Sequence, residues 1–406
     1  MVCTRLTVRM TVGLLVALGV IGSLFSVATA DEATSPQAQL ELFQAADGNQ
    51  YFAAVLPPVR AVQSAGRHIV VLVNTSAAQT GAVREKSLAA LEKFVGELTP
   101  ADRVQIVAVD LKAVPMHQEF VAPGSPEFQA GWEKLQKRAP LGSCDLKAGL
   151  QAAIDALSKA PADTRTLVYF GDGLSRAHLL SSDEIANLAA QLYDAHIPVN
   201  AYLIGVQRDV GLMASFATHT GGNLLIDSPE LDAAAVGHQL AGAVHATVVY
   251  PAEARWSENV AEVYPQRLPP LRSDRETVVV GTLKQAGPVE LTVKLPGCEQ
   301  TWVLPGAAHP QNGYLVKLVQ TARNTAGSAV PVPGKEALLQ LAESAEIGVY
   351  NLTELARQAL ELNDVASAQR MAEAALAQDP QNQAARKILT QVRQVSQQVA
   401  APAAPA

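Results

Sequence analysis

From His68 onward the chain alternates between two hydrophobic patterns. Residues 69–73 are a continuous apolar run, and 104–109, 166–170 and 198–204 are similar, largely apolar runs. Such runs belong to strands buried on both faces. Between them, apolar residues return every three or four positions. Leu88, Leu91, Val95 and Leu98 make one such stripe, and Leu146, Leu150, Ile154 and Leu157 another. That is the period of a helix with one buried face. The helix ends are marked chemically. Thr99-Pro100 closes the first helix, and Ser125-Pro126-Glu127 opens one that runs to about Arg138. Ser181-Ser182-Asp183-Glu184 is a capping box, and Gly221-Gly222 stops a helix begun at Val210. Residues 116–121 are expected as a short edge strand, 224–226 as a last strand and 230–244 as a last helix. This alternation predicts an α/β fold: a doubly wound, mostly parallel sheet with helices on both faces, over residues 61–245. Ligands of such sheets bind beyond the C-terminal strand ends, where the strand order reverses. The loops to inspect therefore follow Val73, Arg138 and Phe170.

The pattern changes on either side of this region. Residues 31–49 are polar with little periodicity and read as a flexible lead-in. Residues 51–56 read as a strand ended by Pro57-Pro58. Beyond 246, short apolar runs at 248–250, 278–280, 289–293 and 302–304 are separated by Pro and Gly, without a convincing helix. Residues 246–310 are expected as a small β-sandwich unit, with the strand in 50–60 pairing into it. Residues 311–397 read as helices at 312–320, 335–349, 352–362, 365–378 and 381–397. The Ala/Pro tail, 398–406, is expected to be disordered.

The first thirty residues change the picture of where the protein works. Arg5 and Arg9 precede an apolar run over 10–27, and Ala28-Thr29-Ala30 supplies a small-residue cleavage site. This reads as a secretory signal peptide, and the protein as secreted, periplasmic or held in the cell envelope. Membrane association is expected only if that segment stays uncleaved. Losing Arg5 and Arg9 takes the formal charge from −7 to −9. An acidic chain of this kind is not expected to bind nucleic acid or anionic lipid, which require a basic face. After cleavage Cys144 and Cys298 remain. An exported protein can pair them. They fall in different units, however, so two separate buried thiols are the simpler expectation.

Three loops carry the candidate chemistry: Asn74-Thr75-Ser76-Ala77-Ala78, Gly142-Ser143-Cys144-Asp145 and Phe170-Gly171-Asp172-Gly173. In order and placement they resemble the von Willebrand factor A domain, a Rossmann-like fold. In that family the first loop reads Asp-x-Ser-x-Ser, the second supplies Thr and the third Asp. Together they hold a divalent cation, usually Mg²⁺, which leaves a place for an acidic group of the partner. Mg²⁺ requires hard oxygen ligands. This sequence keeps Ser76 and Asp172 of that pattern. It has Asn74 for the first Asp, Ala78 for the second Ser and Cys144 for the Thr, and a thiol is a soft ligand. Asn74, Ser76 and Asp172 are therefore expected to form a degenerate metal site. The expected state is a hydrogen-bonded cap without a cofactor, with a weakly held Mg²⁺ as the alternative.

Further on, Ala356, Ala368, Ala375 and Pro380 fall at the small and terminal positions of a tetratricopeptide repeat, with Asn363-Asp364 as its turn. The resemblance implies a helical hairpin. One repeat cannot bury its face alone, so packing on a neighbour is expected ahead of a peptide groove. His238 and His245, seven apart, read as a solvated stripe, and the run from Pro269 to Arg275 as a solvated turn. There is no H-E-x-x-H, G-x-S-x-G or phosphate-binding Gly-Lys loop. The expected function is a non-enzymatic protein–protein interaction or scaffold protein. Its partners would meet the top face of the A-type domain and, secondarily, the helical unit. The alternatives are a Mg²⁺-dependent adhesion or ligand-binding protein, and a hydrolase or redox accessory working at Cys144.

Overall fold

A computed structural model describes residues 37–62, 66–361, 364–379 and 381–400. The expected signal segment and residues 31–36 of the lead-in lie outside the described residues, as do Asn363, Pro380 and 401–406 of the tail. The lead-in itself needs correction. Gln39–Gln44 is a strand, β1, paired antiparallel with β2 (Gln50–Leu56). Leu40, Leu42 and Phe43 of β1 are buried against partners that local sequence does not show. The tail is shorter than expected as well, since the last helix reaches Ala400.

The chain then builds the α/β unit: β3 (His68–Asn74), α1 (Gly81–Gly96), β4 (Arg103–Val109), β5 (Ala113–Pro115), α2 (Pro126–Lys137), α3 (Leu146–Leu157), β6 (Arg165–Gly171), α4 (Ser182–Asp194), β7 (Val199–Leu203), α5 (Val210–Thr220), β8 (Leu224–Ile226) and α6 (Ala233–His245). Its six strands lie in the order β5-β4-β3-β6-β7-β8, and all pairs but β4–β5 are parallel. The strand runs are apolar throughout because the sheet has a core on each side. Ile69, Val71 and Val73 point to a core with Phe94 of α1 and Leu240 of α6. Val70 and Leu72 point to the other, with Leu150 of α3, Leu192 of α4 and Phe216 of α5. The edge strand is Ala113–Pro115 rather than 116–121. A turn at Asp110–Lys112 brings it straight back onto β4, and Val121 adds only an isolated bridge to Val104. The chain runs outward from β3 to β5 and returns to β6 on the other side of β3. The strand order therefore reverses between β3 and β6.

β9 (Val248–Val249), β10 (Glu253–Trp256), β11 (Val260–Tyr264), β12 (Leu271–Arg272), β13 (Thr277–Leu283), β14 (Val289–Leu295) and β15 (Cys298–Leu304) follow. One sheet has the order β1-β2-β13-β11 and a second β10-β14-β15. Their facing residues, among them Phe52, Leu56, Val279, Leu291 and Val293, form one sandwich core. The outer face of the first sheet is covered by α7 (Tyr314–Asn324) and the start of α8 (Lys335–Glu361), through Leu315, Val319 and Leu338. α9 (Val365–Gln378) and α10 (Gln383–Ala400) complete the helical unit. The two helices expected at 335–349 and 352–362 are one. No proline separates them, and Val349 stays buried in the same interface as Ala356. Ala356, Ala368, Ala372, Ala375 and Ala385 are fully buried, so the three helices pack on small side chains.

Two sites read as solvated are instead structural. Arg272 is fully buried. Its guanidinium donates to Asp274 (both 2.7 Å), to the Gly221 carbonyl at the end of α5 (2.7 Å) and to the Ala243 carbonyl in the last turn of α6 (2.9 Å). Arg275 donates to the Gly222 carbonyl (2.6 Å). Free carbonyls at helix C-termini carry partial negative charge, and these two arginines satisfy them. Gly221 stands in the left-handed conformation (φ 72°) that terminates α5 there. His245 contacts the fully buried Asp102 (Nε2 to Oδ2, 3.0 Å), whereas His238 is the solvated one. Burial opposes ionisation of Asp102, but hydrogen bonds from His245, Thr99 and Arg67 outweigh it and hold its pKa at about 2.

Candidate functional site: the C-terminal face of the α/β sheet

Asn74 ends β3 and Asp172 follows β6, so both stand at the point where the strand order reverses. Two devices bring them together. Gly171 lets β6 end against Asn74, since a Cβ there would lie 2.6 Å from the Asn74 Cβ and 2.5 Å from the Tyr169 hydroxyl. The Tyr169 hydroxyl in turn accepts from the Gly173 N–H (3.1 Å), fixing the loop from below. Asn74 and Asp172 are each almost fully buried.

The contact between them is direct. The Asn74 amide Nδ2 donates to Asp172 Oδ1 (3.0 Å), while Asn74 Oδ1 accepts from the Ser76 backbone N–H (2.9 Å). Asp172 Oδ1 also accepts from the Leu174 N–H (3.1 Å). Burial raises the Asp172 pKa above the ordinary carboxylate value, partly offset by these donors and by Arg176. A second carboxylate at position 74 would repel Asp172 and need a cation between them. An amide needs none, because its own N–H supplies the positive end.

The other pattern positions diverge. Ser76 is buried in the same loop, its carbonyl accepting from the Gln79 N–H (2.9 Å). Ala78 is exposed and offers no ligand. Cys144 is a free, buried thiol packed in the apolar core beneath α3, so it does not pair with Cys298, which is half-buried at the start of β15. Burial, together with Asp172 and Asp145, pushes the Cys144 pKa far up. Asp145 turns away from the site to cap α3 through the Ala148 N–H (3.0 Å). Mg²⁺ takes hard oxygens in near-octahedral geometry. The side chains at the five pattern positions offer it one carboxylate, one hydroxyl and one amide. Among the described residues, no three His, Cys, Asp or Glu side chains are grouped to hold a metal.

A second polar cluster beside the first was not anticipated. Arg138 bonds Asp110 (2.5 Å) and the Thr75 hydroxyl (3.2 Å), and the Ala77 N–H reaches the Gly142 carbonyl (3.0 Å). These bonds tie the loops after β3, β4 and α2 into one platform. Asp110 follows a strand on the ligand-binding side of the sheet, and that position was the available signal. Around this platform the loops after β4, α2, β6 and β7 each expose a large apolar side chain. Leu111, Leu141, Leu179 (83% exposed) and Val206 (96% exposed) all face solvent. In the helical unit a groove of about 1,000 Å³ runs between α8 and α10, lined by Val349, Tyr350, Arg357, Lys387 and Ile388 among others.

A doubly wound sheet with its polar loops gathered at the switch point defines a Rossmann-like α/β module. Residues 67–226 match the sequence family of the von Willebrand factor type A domain, and this part of the chain is such a domain. Among solved structures, the chain is similar to a von Willebrand factor type A protein from Catenulispora acidiphila (10% identity, 85% of this chain and 88% of that one, TM-score 0.47). It is also similar to the ArnB paralog VWA2 from Sulfolobus acidocaldarius (12% identity, 84% and 88%, TM-score 0.42). A third is the conserved hypothetical protein BatB from Bacteroides thetaiotaomicron (12% identity, 44% and 97%, TM-score 0.35). No curated protein sequence matches the chain.

Proposed function

We propose that this is an exported, non-enzymatic interaction protein that meets a protein partner with the C-terminal face of its A-type domain, without a tightly held cation. The observation that carries this reading is the direct Asn74–Asp172 hydrogen bond. It satisfies in one contact the groups that a bridging ion would otherwise link. The exposed leucines and valine around the face supply apolar area for a partner, and exposed apolar clusters mark interaction sites. The buried Cys144 thiol lacks the electropositive, accessible setting that activates a nucleophile, which speaks against chemistry there. The sandwich and helical units serve as platform. The α8–α10 groove favours a secondary contact on the helical unit.

The test uses the chain from Asp31. Calorimetric titration with Mg²⁺, Mn²⁺ and Ca²⁺ is expected to show no binding at millimolar concentration. Affinity capture is expected to yield the same partner with and without chelator. Clear cation binding that disappears in Asp172→Ala would overturn the cation-free reading. Partner capture that needs the cation would do the same.

A further inference from the structure

A cavity of about 340 Å³ lies beside the switch point, between the first turns of α4 and α5 and the turn that follows α7. Its apolar walls are Leu180, Ile185 and Leu212 of the A-type domain and Ala329 of the helical unit, with serines, Thr325 and Asp209 between them. That size is at the lower end of the roughly 300–1,000 Å³ of small-ligand pockets, enough for a single bulky apolar group. The exposed Leu179 stands at its mouth. The wall is composite: Thr325, Ser328 and Ala329 after α7 line it together with Leu212 and Ser215 of α5.

The charge around the mouth is one-sided. On the loops after β4, β6 and β7 the exposed charged residues are Lys112, Arg176 and Arg208, with no exposed carboxylate. Among the described residues, Arg176 bonds the neutral Gln207 side chain (2.7 Å), and Arg208 a backbone carbonyl, that of Asp227 (2.8 Å). The carboxylates nearby are committed. Asp110 pairs with Arg138, Asp172 is buried, and Asp209 caps α5 through the Leu212 N–H (2.9 Å). Exposed carboxylates stand further off, Asp183 on α4 and Glu230 and Asp232 on the loop after β8. The chain as a whole is acidic, with a formal charge of −7. A cationic rim around an apolar cavity on an acidic molecule selects for the opposite pattern in its occupant.

We propose that this cavity seats an apolar side chain of an acidic segment of a partner protein, whose carboxylates pair with Arg176 and Arg208. The inference rests on the interaction reading above and deepens it. The arginines supply at the surface the positive charge that a cation would supply in the loops, and the helical unit completes the site.

A random-sequence peptide display selection on the chain from Asp31 tests it. Enriched peptides are expected to place Asp or Glu within a few residues of Leu, Ile or Phe. A representative peptide is expected to bind at least tenfold more weakly to the double variant Arg176→Glu/Arg208→Glu, and to lose affinity as salt rises. Ala329→Trp, which fills the cavity from the helical side, is expected to weaken it equally while circular dichroism stays unchanged. Peptides lacking acidic residues, binding that survives Ala329→Trp, or no enrichment would each overturn the proposal. So would self-association abolished by Ala329→Trp, which would make a second copy the occupant. The interaction reading is judged separately by partner capture. A captured partner that binds both variants normally would sink this site and leave that reading standing.

Discussion

At the scale of single residues, one atom exchange governs the site. Asn74 carries nitrogen where the family carries carboxylate oxygen, and that nitrogen donates to Asp172. In the cation-free reading proposed above, this direct bond takes the place of a bridging ion. Restoring the pattern should reverse it. The triple variant Asn74→Asp/Ala78→Ser/Cys144→Thr is expected to be less stable than the natural chain in chelator, because two buried carboxylates then face each other. It should recover with Mg²⁺, by about 2.7 kcal/mol at a hundredfold excess over Kd. The natural chain should show no such shift in melting temperature, and a triple variant indifferent to Mg²⁺ would show that more than these positions closed the site. His245 provides a second residue-scale test. Its hydrogen bond to Asp102 raises its pKa above the ordinary 6.5. A raised histidine contributes stability in full below its unfolded pKa and loses it as pH rises through the folded value. The stability difference between the natural chain and His245→Gln, measured by urea unfolding from pH 5 to 9, is expected to be largest at pH 5–6 and to shrink above neutrality. A difference that grows with pH would contradict that pairing.

At the scale of elements, the paired arginines join two units that have separate cores. Arg272 sits on the short strand β12 and reaches the C-terminal ends of both α5 and α6. Arg272→Met keeps much of the volume but leaves two helix carbonyls and Asp274 without their partner. It is expected to cost about 3 kcal/mol, the lower end for breaking a buried ion pair, because Asp274 keeps about a third of its side chain in water. Chemical denaturation would measure it, and a loss under 1 kcal/mol would show the contact to be dispensable. The contrast between elements also shows what sequence reveals. The α/β region is legible because its four central strands, β3, β4, β6 and β7, are buried on both faces and most of its helices on one, so burial is written locally as period. Asn74, Ser76 and Asp172 could be placed at strand ends for the same reason. β1 was not legible, because the partners that bury Leu40 and Leu42 are supplied from elsewhere in the chain. Arg272 was misread for a similar cause: a charged residue in a Pro-led turn looks solvated until the helix ends that receive it are in place. The Arg138–Asp110 pair and the cavity beside α5 likewise exist only between segments distant in sequence.

At the scale of the whole molecule, the A-type domain is an insertion. The chain enters the sandwich with β1 and β2, leaves it to build residues 68–245, and returns to lay β13 against β2. Neither core of the A-type domain includes a residue before Ile69. Removing residues 37–56 is therefore expected to abolish hydrogen-exchange protection of β13 while leaving β3 protected. Equal loss in both strands would show that the two units unfold as one. The insertion also sets a timetable. Leu56 pairs with Thr277, so roughly 220 residues must be made before the first two strands can find their neighbour. At about 5–20 residues per second of synthesis that is a wait of roughly 10–45 s. Throughout it, a hairpin carrying Phe52, Val55 and Leu56 has no sheet to join. This early-made hairpin is thus among the last parts to settle, and until then it is the part most in need of shielding from its neighbours.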